Sequence, residues 1–354
     1  IYAQMNGFDS TIYEMHDIPG GLCTSWRRRG YTFDGAVRYL AGVSPEVKGY
    51  QLWDELGILK DKQFHFYDEF VAIEGRDGRV LHLYTDLNRL RDHLLELSPV
   101  DAPVINDFIE GIQDFRDLDL PVDITAADFS ELARMGRGML PVAVPTFRWR
   151  NLTLNEFAER FEDPFLQEAL PLFFQFSPPD FPMMLCLSTL GMMHDKEAGY
   201  PIGGSLPIAE SLEARYLALG GEVQYGTEVM DILVKEDRAV GLELADSGRV
   251  YGDIIISAAD GRMTIFDLLN GAYLSDKLLD IYQGGMTASK SILQVSLGVA
   301  MDFSPMPPMI NFPLDEPVWL GNLRHDRLVV KHYCFDPTMA PEGKSVLTLW
   351  CEAD

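Results

Sequence analysis

Residues 11–26, TIYEMHDIPGGLCTSW, constrain the fold more than any other stretch of this chain. A short apolar run ends on an acid, Glu14, and two glycines, Gly20 and Gly21, follow six residues later. Ahead of the run, residues 1–6 read as the last turns of an amphipathic helix, Gly7 as a left-handed stop and residues 9–15 as a strand. Helix, glycine, strand and acid in that order are the second half of a dinucleotide-binding βαβ unit. There, an acid about twenty residues after a G-x-G-x-x-G loop takes ribose hydroxyls. Counting back from Glu14 by that interval lands before Ile1, so the chain is expected to be a fragment without its first strand and phosphate loop. Its end at Asp354, in or just past an expected strand over 346–351, reads as a second truncation.

Composition narrows the function. A chain of 354 residues, 47% of them hydrophobic, has material for two or more domains with ample core. The formal net charge of −25 repels a nucleic-acid backbone, and no basic stripe offsets it; Arg27, Arg28 and Arg29 are an isolated basic turn. The four cysteines, Cys23, Cys186, Cys334 and Cys351, are widely spaced, so neither a disulfide framework nor a zinc site is expected, and a reducing, cytoplasmic setting is the default. The seven histidines form no H-E-x-x-H pair and no G-x-S-x-G elbow is present, so the sequence predicts no metal and no hydrolase nucleophile.

Three blocks follow one another. Residues 1–59 keep nucleotide-domain grammar. From 60 to 199 the character changes: a strand over 64–74 and its partner over 79–84 flank a turn at 75–78, and helices begin at Asp86, Ala102 and Thr153, the last with Glu156 at the capping-box position. Residues 200–262 return to a helix over 205–219 and strands over 222–225, 229–235, 239–244 and 250–258. The run Ile254-Ile255-Ile256 lacks polar alternation, as expected for a strand buried on both faces of a parallel sheet. Longer alternating strands follow, over 291–299 and 328–335. The expected fold is α/β: a discontinuous Rossmann-like nucleotide-binding domain (1–59 and 200–262) interleaved with an α+β substrate domain of mixed sheet and helices (60–199 and 263–354).

Four dispersed strings, YEMHDIPGGLCTSWRRRGYTFDGAVRYLAG, YPIGGS, GGEVQYGTEVMDILVKEDRAVGLELADSGRVYGDIIISAADG and FDPTMAPEGKSVLTLW, resemble the FAD-dependent oxidoreductases related to phytoene desaturase, carotenoid isomerase and retinol saturase. These belong to the wider flavoprotein group that includes amine oxidases. The resemblance implies FAD as cofactor and the Glu14 carboxylate on the hydroxyls of the AMP ribose. Gly20 and Gly21, lacking Cβ, then let backbone N–H groups approach the pyrophosphate. Leu22 follows the pair, and the hydroxyls of Thr24 and Ser25 add donors to phosphate or ribose. Gly35, Ala36, Val37 and Arg38 match the stretch beside the isoalloxazine ring, where Arg38 would offset negative charge on the reduced flavin; an ordinary salt-bridge arginine is the alternative. Relatives more often carry another glycine, a histidine or an apolar residue near that position. Val229 would offer its backbone N–H and C=O to the adenine edge.

No acid–base pair stands out, and no catalytic residue is nominated; a flavin supplies hydride chemistry that needs few titrating side chains. Residues 170–193, LPLFFQFSPPDFPMMLCLSTLGMM, would suit a tunnel for a long apolar substrate and equally an ordinary helical core. The implied partners are thus an apolar, polyene or isoprenoid-like small molecule, no nucleic acid, and peripheral membrane contact as an open alternative. Two rivals share the architecture: flavin amine oxidases, which need an aromatic cage near the flavin, and Rab GDP-dissociation inhibitors, which bind prenylated partners without redox chemistry. Glu14 beside a glycine pair favours a working nucleotide site over the second rival.

Overall fold

The computed structural model describes residues 1–116, 146–174, 180–285 and 291–353. By packing, the chain forms two compact units, Ile1–Thr24 with Ala209–Lys290 and Ser25–Ile208 with Ser291–Asp354. Residues 25–59 pack within the second, larger unit.

In the smaller unit the expected order at the chain's start is present: helix Tyr2–Met5, Gly7 at φ +80°, then strand Thr11–Tyr13. This strand runs parallel to Glu222–Gln224, with Ile12 opposite Val223. Helix Leu206–Ala218 leads into the partner strand, and the Tyr216 hydroxyl donates to the Ser10 carbonyl at 2.6 Å, fixing the helix's last turn to the start of the other strand. A three-stranded antiparallel meander follows, Val229–Lys235, Arg238–Leu244 and Arg249–Tyr251. Its first turn falls on Glu236 and Asp237 at φ 51° and 59°, the left-handed pair whose twist suits a two-residue hairpin.

The buried strand expected over 250–258 is not formed. Strand pairing ends at Tyr251, and Ile254 and Ile256 are 63% and 80% exposed. An apolar run is buried on both faces only when strands flank it and helices cover it. Among the described residues, the parallel sheet of this unit has two strands, and neither pairs with 254–258.

The larger unit is built on a six-stranded mixed sheet in the order Ser291–Val299, Ser345–Ala353, Leu323–His332, Met309–Leu320, Glu69–Glu74 and Val80–Tyr84. All neighbours are antiparallel except Met309–Leu320 beside Glu69–Glu74, where Ile310 faces Ala72. The hairpin around 75–78 is present, but the strand expected over 64–74 is two pieces. Phe64–His65 leaves the sheet to pair with Ala198–Pro201, and the long sheet takes up the chain at Glu69.

Helices Leu87–Leu97 and Ala102–Arg116 bury one face each, and Met183–His194 most of its surface, into the same core as Val71, Ile73, Leu81 and Leu83. Local chemistry sets their starts. Asp86 accepts from the Arg89 N–H at 2.9 Å, and Thr153 with Glu156 closes the expected capping box. Met183, Cys186, Leu187, Leu190 and Met193 are buried among Ile112, Trp149 and their neighbours, so this part of 170–193 is helical core; 175–179 lie outside the described residues.

Candidate functional site

Glu14 directly follows the parallel strand in the smaller unit. Its N–H donates to the Gln224 carbonyl (3.0 Å) and its carbonyl accepts from Thr227 N–H (2.9 Å), so strand pairing carries the backbone into the acid. The carboxylate Oε1 accepts from the His16 N–H at 2.9 Å, which turns the side chain back over the loop that follows. That loop closes where the Gly20 carbonyl accepts from the Cys23 N–H (2.9 Å). Gly20 has φ +101°, and a Cβ there would stand 2.6 Å from Ala209 Cβ and 2.7 Å from the Cys23 carbonyl oxygen. No side chain fits. Gly21, at φ +56°, faces open space, and Leu22 is exposed. Thr24 is 9% exposed, and its buried Oγ1 has no hydrogen-bond partner among the described residues. Val229 opens the meander opposite Leu244, with an irregularity in pairing before Asp231.

The remaining expected site residues belong to the larger unit. Ser25 is buried at the head of strand Ser25–Arg28, opposite Asp34 on Tyr31–Asp34. Asp34, 2% exposed, is a hub that the sequence reading did not single out. One of its carboxylate oxygens accepts from Tyr200 Oη and the other from the Ser205 N–H, both at 2.9 Å. Ser205 Oγ in turn accepts from the Val37 N–H at 2.8 Å, which pins the Gly35–Arg38 stretch. A Cβ on Gly204 would come within 3.0 Å of the Asp34 carboxyl, so a glycine is needed for that close approach. Asp336 joins from a third segment, accepting from the Gly203 N–H at 2.8 Å. Residues 34–37, 200–205 and Asp336, far apart in the chain, thus meet around the Gly203–Gly204 turn and two buried aspartates.

Lys331 was also missed, because nothing in a strand pattern marks one lysine as buried. It is 4% exposed, with Nζ 4.6 Å from the Tyr333 ring centroid, 4.8 Å from Tyr200 and 5.8 Å from Tyr67. Aromatic faces stabilise a cation without accepting a conventional hydrogen bond. Among the described residues the ammonium donates no hydrogen bond and joins no ion pair. Burial, and then the Arg38 charge, push its pKa down to about 7, while Asp34 pulls the other way. Burial likewise lowers Arg38 and raises the Tyr67, Tyr200 and Tyr333 phenols. Arg38, Tyr67, Phe70, Pro308, Met309 and Lys331 line one narrow pocket. No cluster of three or more metal-ligating side chains occurs among the described residues.

A family model described as flavin containing amine oxidoreductase matches residues 4–263, about three-quarters of the chain. The chain belongs to that family. That family is flavin-containing, and FAD is its cofactor. A phytoene desaturase (neurosporene-forming) from Rhodobacter capsulatus is 26% identical to this chain over 275 residues, which cover 74% of the chain and 50% of the relative. A chloroplastic prolycopene isomerase from Daucus carota is 30% identical over 172 residues, 48% of the chain and 28% of that protein. The chain therefore spans half the length of the first of these relatives or less. Among solved structures, an oxidoreductase from Methanosarcina mazei superposes with a TM-score of 0.60 at 17% identity, covering all of this chain and 75% of its own. A Rab GDI from Plasmodium falciparum gives 0.55 at 12%, covering all of this chain and 79% of its own. At such identities the likeness is one of fold.

The smaller unit of this flavoprotein chain fits its cofactor chemically. At Gly21 the backbone, with nothing within 4 Å of where a Cβ would stand, leaves room for a polar group, and the Thr24 hydroxyl is a buried donor without an acceptor of its own. An anionic diphosphate supplies what both lack.

Proposed function

We propose that the chain is the cofactor- and substrate-binding part of an FAD-dependent oxidoreductase acting on C–C or C=C bonds of a polyene or isoprenoid-like substrate. The open, bare backbone at Gly21, set by the tight turn at Gly20, with the orphan Thr24 hydroxyl is the observation that carries the nucleotide half of this reading. In it Glu14 holds the ribose hydroxyls, Gly20, Gly21 and Leu22 lie along the diphosphate, Thr24 donates to it, and Val229 meets adenine through its backbone. In the larger unit, Gly35, Ala36 and Val37 offer a backbone held by Ser205 to the flat flavin ring, and Arg38 supplies positive charge. Bound flavin supplies hydride acceptance or donation at N5. The protein's own part is to orient an apolar chain and exclude water, for which Tyr67, Phe70 and Met309 are suited.

The polyene rather than the amine reading draws support from the names of the desaturase and isomerase relatives and from charge. The tyrosine cage is filled by the chain's own Lys331, with Arg38 on the same pocket, an arrangement that repels a substrate ammonium. A polyene partitions into lipid, so peripheral membrane contact belongs to the proposal. Among the described residues no helix is long and apolar enough to cross a membrane.

The test is the full-length protein: its absorption spectrum and cofactor mass, then anaerobic bleaching of the flavin by polyenes against peroxide release with amines. Peroxide from amines without polyene conversion replaces this reading, and a colourless protein removes it. Thr24→Val gives a sharper local check. With no cofactor the change is neutral or stabilising, since a buried unpaired hydroxyl is removed. In the presence of FAD it weakens binding roughly tenfold, by losing about one hydrogen bond to a charged group. Titration of flavin fluorescence on parent and variant reads this directly.

A further inference from the structure

Lys331 is a primary amine in surroundings that surface lysines never meet. It lies 4% exposed on strand Leu323–His332, and among the described residues it donates no hydrogen bond and joins no ion pair. The rings of Tyr333, Tyr200 and Tyr67 surround Nζ, with centroids at 4.6, 4.8 and 5.8 Å. The same lysine lines the narrow pocket walled by Tyr67, Phe70, Pro308 and Met309, where Arg38 packs on the Trp350 ring. Burial first, and then the Arg38 charge, bring the amine to about 7, against the pull of Asp34. His65 and His332 feel the same ammonium from either side. A fully solvated lysine, with a pKa of about 10.4, frees its lone pair in about one molecule in 2,500 at pH 7. Lys331 frees it in about half. An apolar pocket and a neighbouring cation are the two conditions that make a lysine a nucleophile.

We propose that Lys331 captures carbonyl groups: its amine forms a reversible imine with an aldehyde or ketone at the end of an otherwise apolar chain held against Tyr67, Phe70 and Met309. This rests on the reading that the larger unit takes an apolar substrate, and it adds the chemistry of that substrate's end. The Nζ lone pair attacks the carbonyl carbon, the carbonyl oxygen takes up the amine's protons and leaves as water, and C=N replaces C=O. No oxidant or reductant is consumed. The protonated imine keeps the positive charge of the ammonium it replaces, so the tyrosine faces that stabilise one stabilise the other. Exclusion of water from the pocket opposes hydrolysis back to the carbonyl. The pocket is narrow, so an unbranched end reaches the amine first.

The experiment uses the full-length flavoprotein at pH 7 with hexanal and hexan-1-ol, two probes of equal chain length. Equilibrium binding is measured for each, and the aldehyde complex is then trapped with cyanoborohydride, digested and mapped by peptide mass. Lys331 is expected to carry the reduced adduct about 10- to 100-fold ahead of exposed lysines, its larger free-amine fraction being partly offset by the weaker nucleophilicity of a weaker base. In Lys331→Met this fast phase of labelling is lost. Replacing a buried lysine with an apolar side chain of similar length removes a desolvated charge, so folding is favoured in the variant. The parent digest decides by itself. Binding of both probes with Lys331 labelled no faster than exposed lysines overturns the imine and leaves the apolar-chain reading intact. A fast phase that persists in Lys331→Met also overturns it. Failure of both probes to bind the flavin-loaded protein overturns the two readings together.

Discussion

Gly20→Val is expected to strip FAD from the full-length protein and to destabilise the smaller unit by about 2–6 kcal/mol, summing positive-φ strain and overpacking. The new Cβ would overlap both Ala209 Cβ and the Cys23 carbonyl oxygen, at 2.6 and 2.7 Å. One contact is backbone, so the loop must move. It would move in the segment that the Gly20–Cys23 hydrogen bond closes and that leads to Thr24. Gly21→Ala separates strain from space: its φ of +56° with nothing within 4 Å of the added carbon leaves only the left-handed penalty of about 1–2 kcal/mol. Melting curves and flavin-to-protein ratios for the pair decide the matter. Stoichiometric flavin and an unchanged melt in Gly20→Val would show that the tight turn at Gly20 is not needed for flavin binding.

Asp34→Ala is expected to cost about 3–5 kcal/mol, the scale for removing one partner from a buried charged cluster. Tyr200 Oη and the Ser205 N–H lose their acceptor together, and Lys331 loses the carboxylate that sustains its charge. The Ser205 loop also anchors Val37, so damage spreads to the Gly35–Arg38 stretch. Asp34→Asn keeps one acceptor oxygen and loses less. Urea denaturation checks this through a lowered midpoint at an unchanged slope. A midpoint for Asp34→Ala equal to the parent's would show that the three segments are held by something else.

Much of the local architecture was legible. The Gly7 stop, the Glu236–Asp237 turn, the Asp86 cap and the Thr153–Glu156 box appear where residue chemistry puts them. So does the strand–acid–glycine order around Glu14 and Gly20. What was not legible depends on distant partners. The isoleucine run at 254–256 has the composition of a core strand but no paired neighbour among the described residues. Phe64 to Glu74 alternates evenly, yet Phe64–His65 pairs with Ala198–Pro201 and the long sheet starts at Glu69. Met and Leu residues over 183–193 suited a tunnel as well as a core, and only packing against Ile112 and Trp149 distinguishes the two.

By itself the sequence determined features closed within a few residues: caps, left-handed turns, and an acid ahead of bare backbone. These are set by dihedral limits and by hydrogen bonds whose partners are neighbours in the chain. Only the tertiary structure decided that Asp34 gathers Tyr200, Ser205 and Val37, and that Lys331 sits caged beside Arg38. Burial and electrostatic surroundings are sums over groups far apart along the chain, so an aspartate or a lysine acquires its chemistry only when folding brings those groups around it.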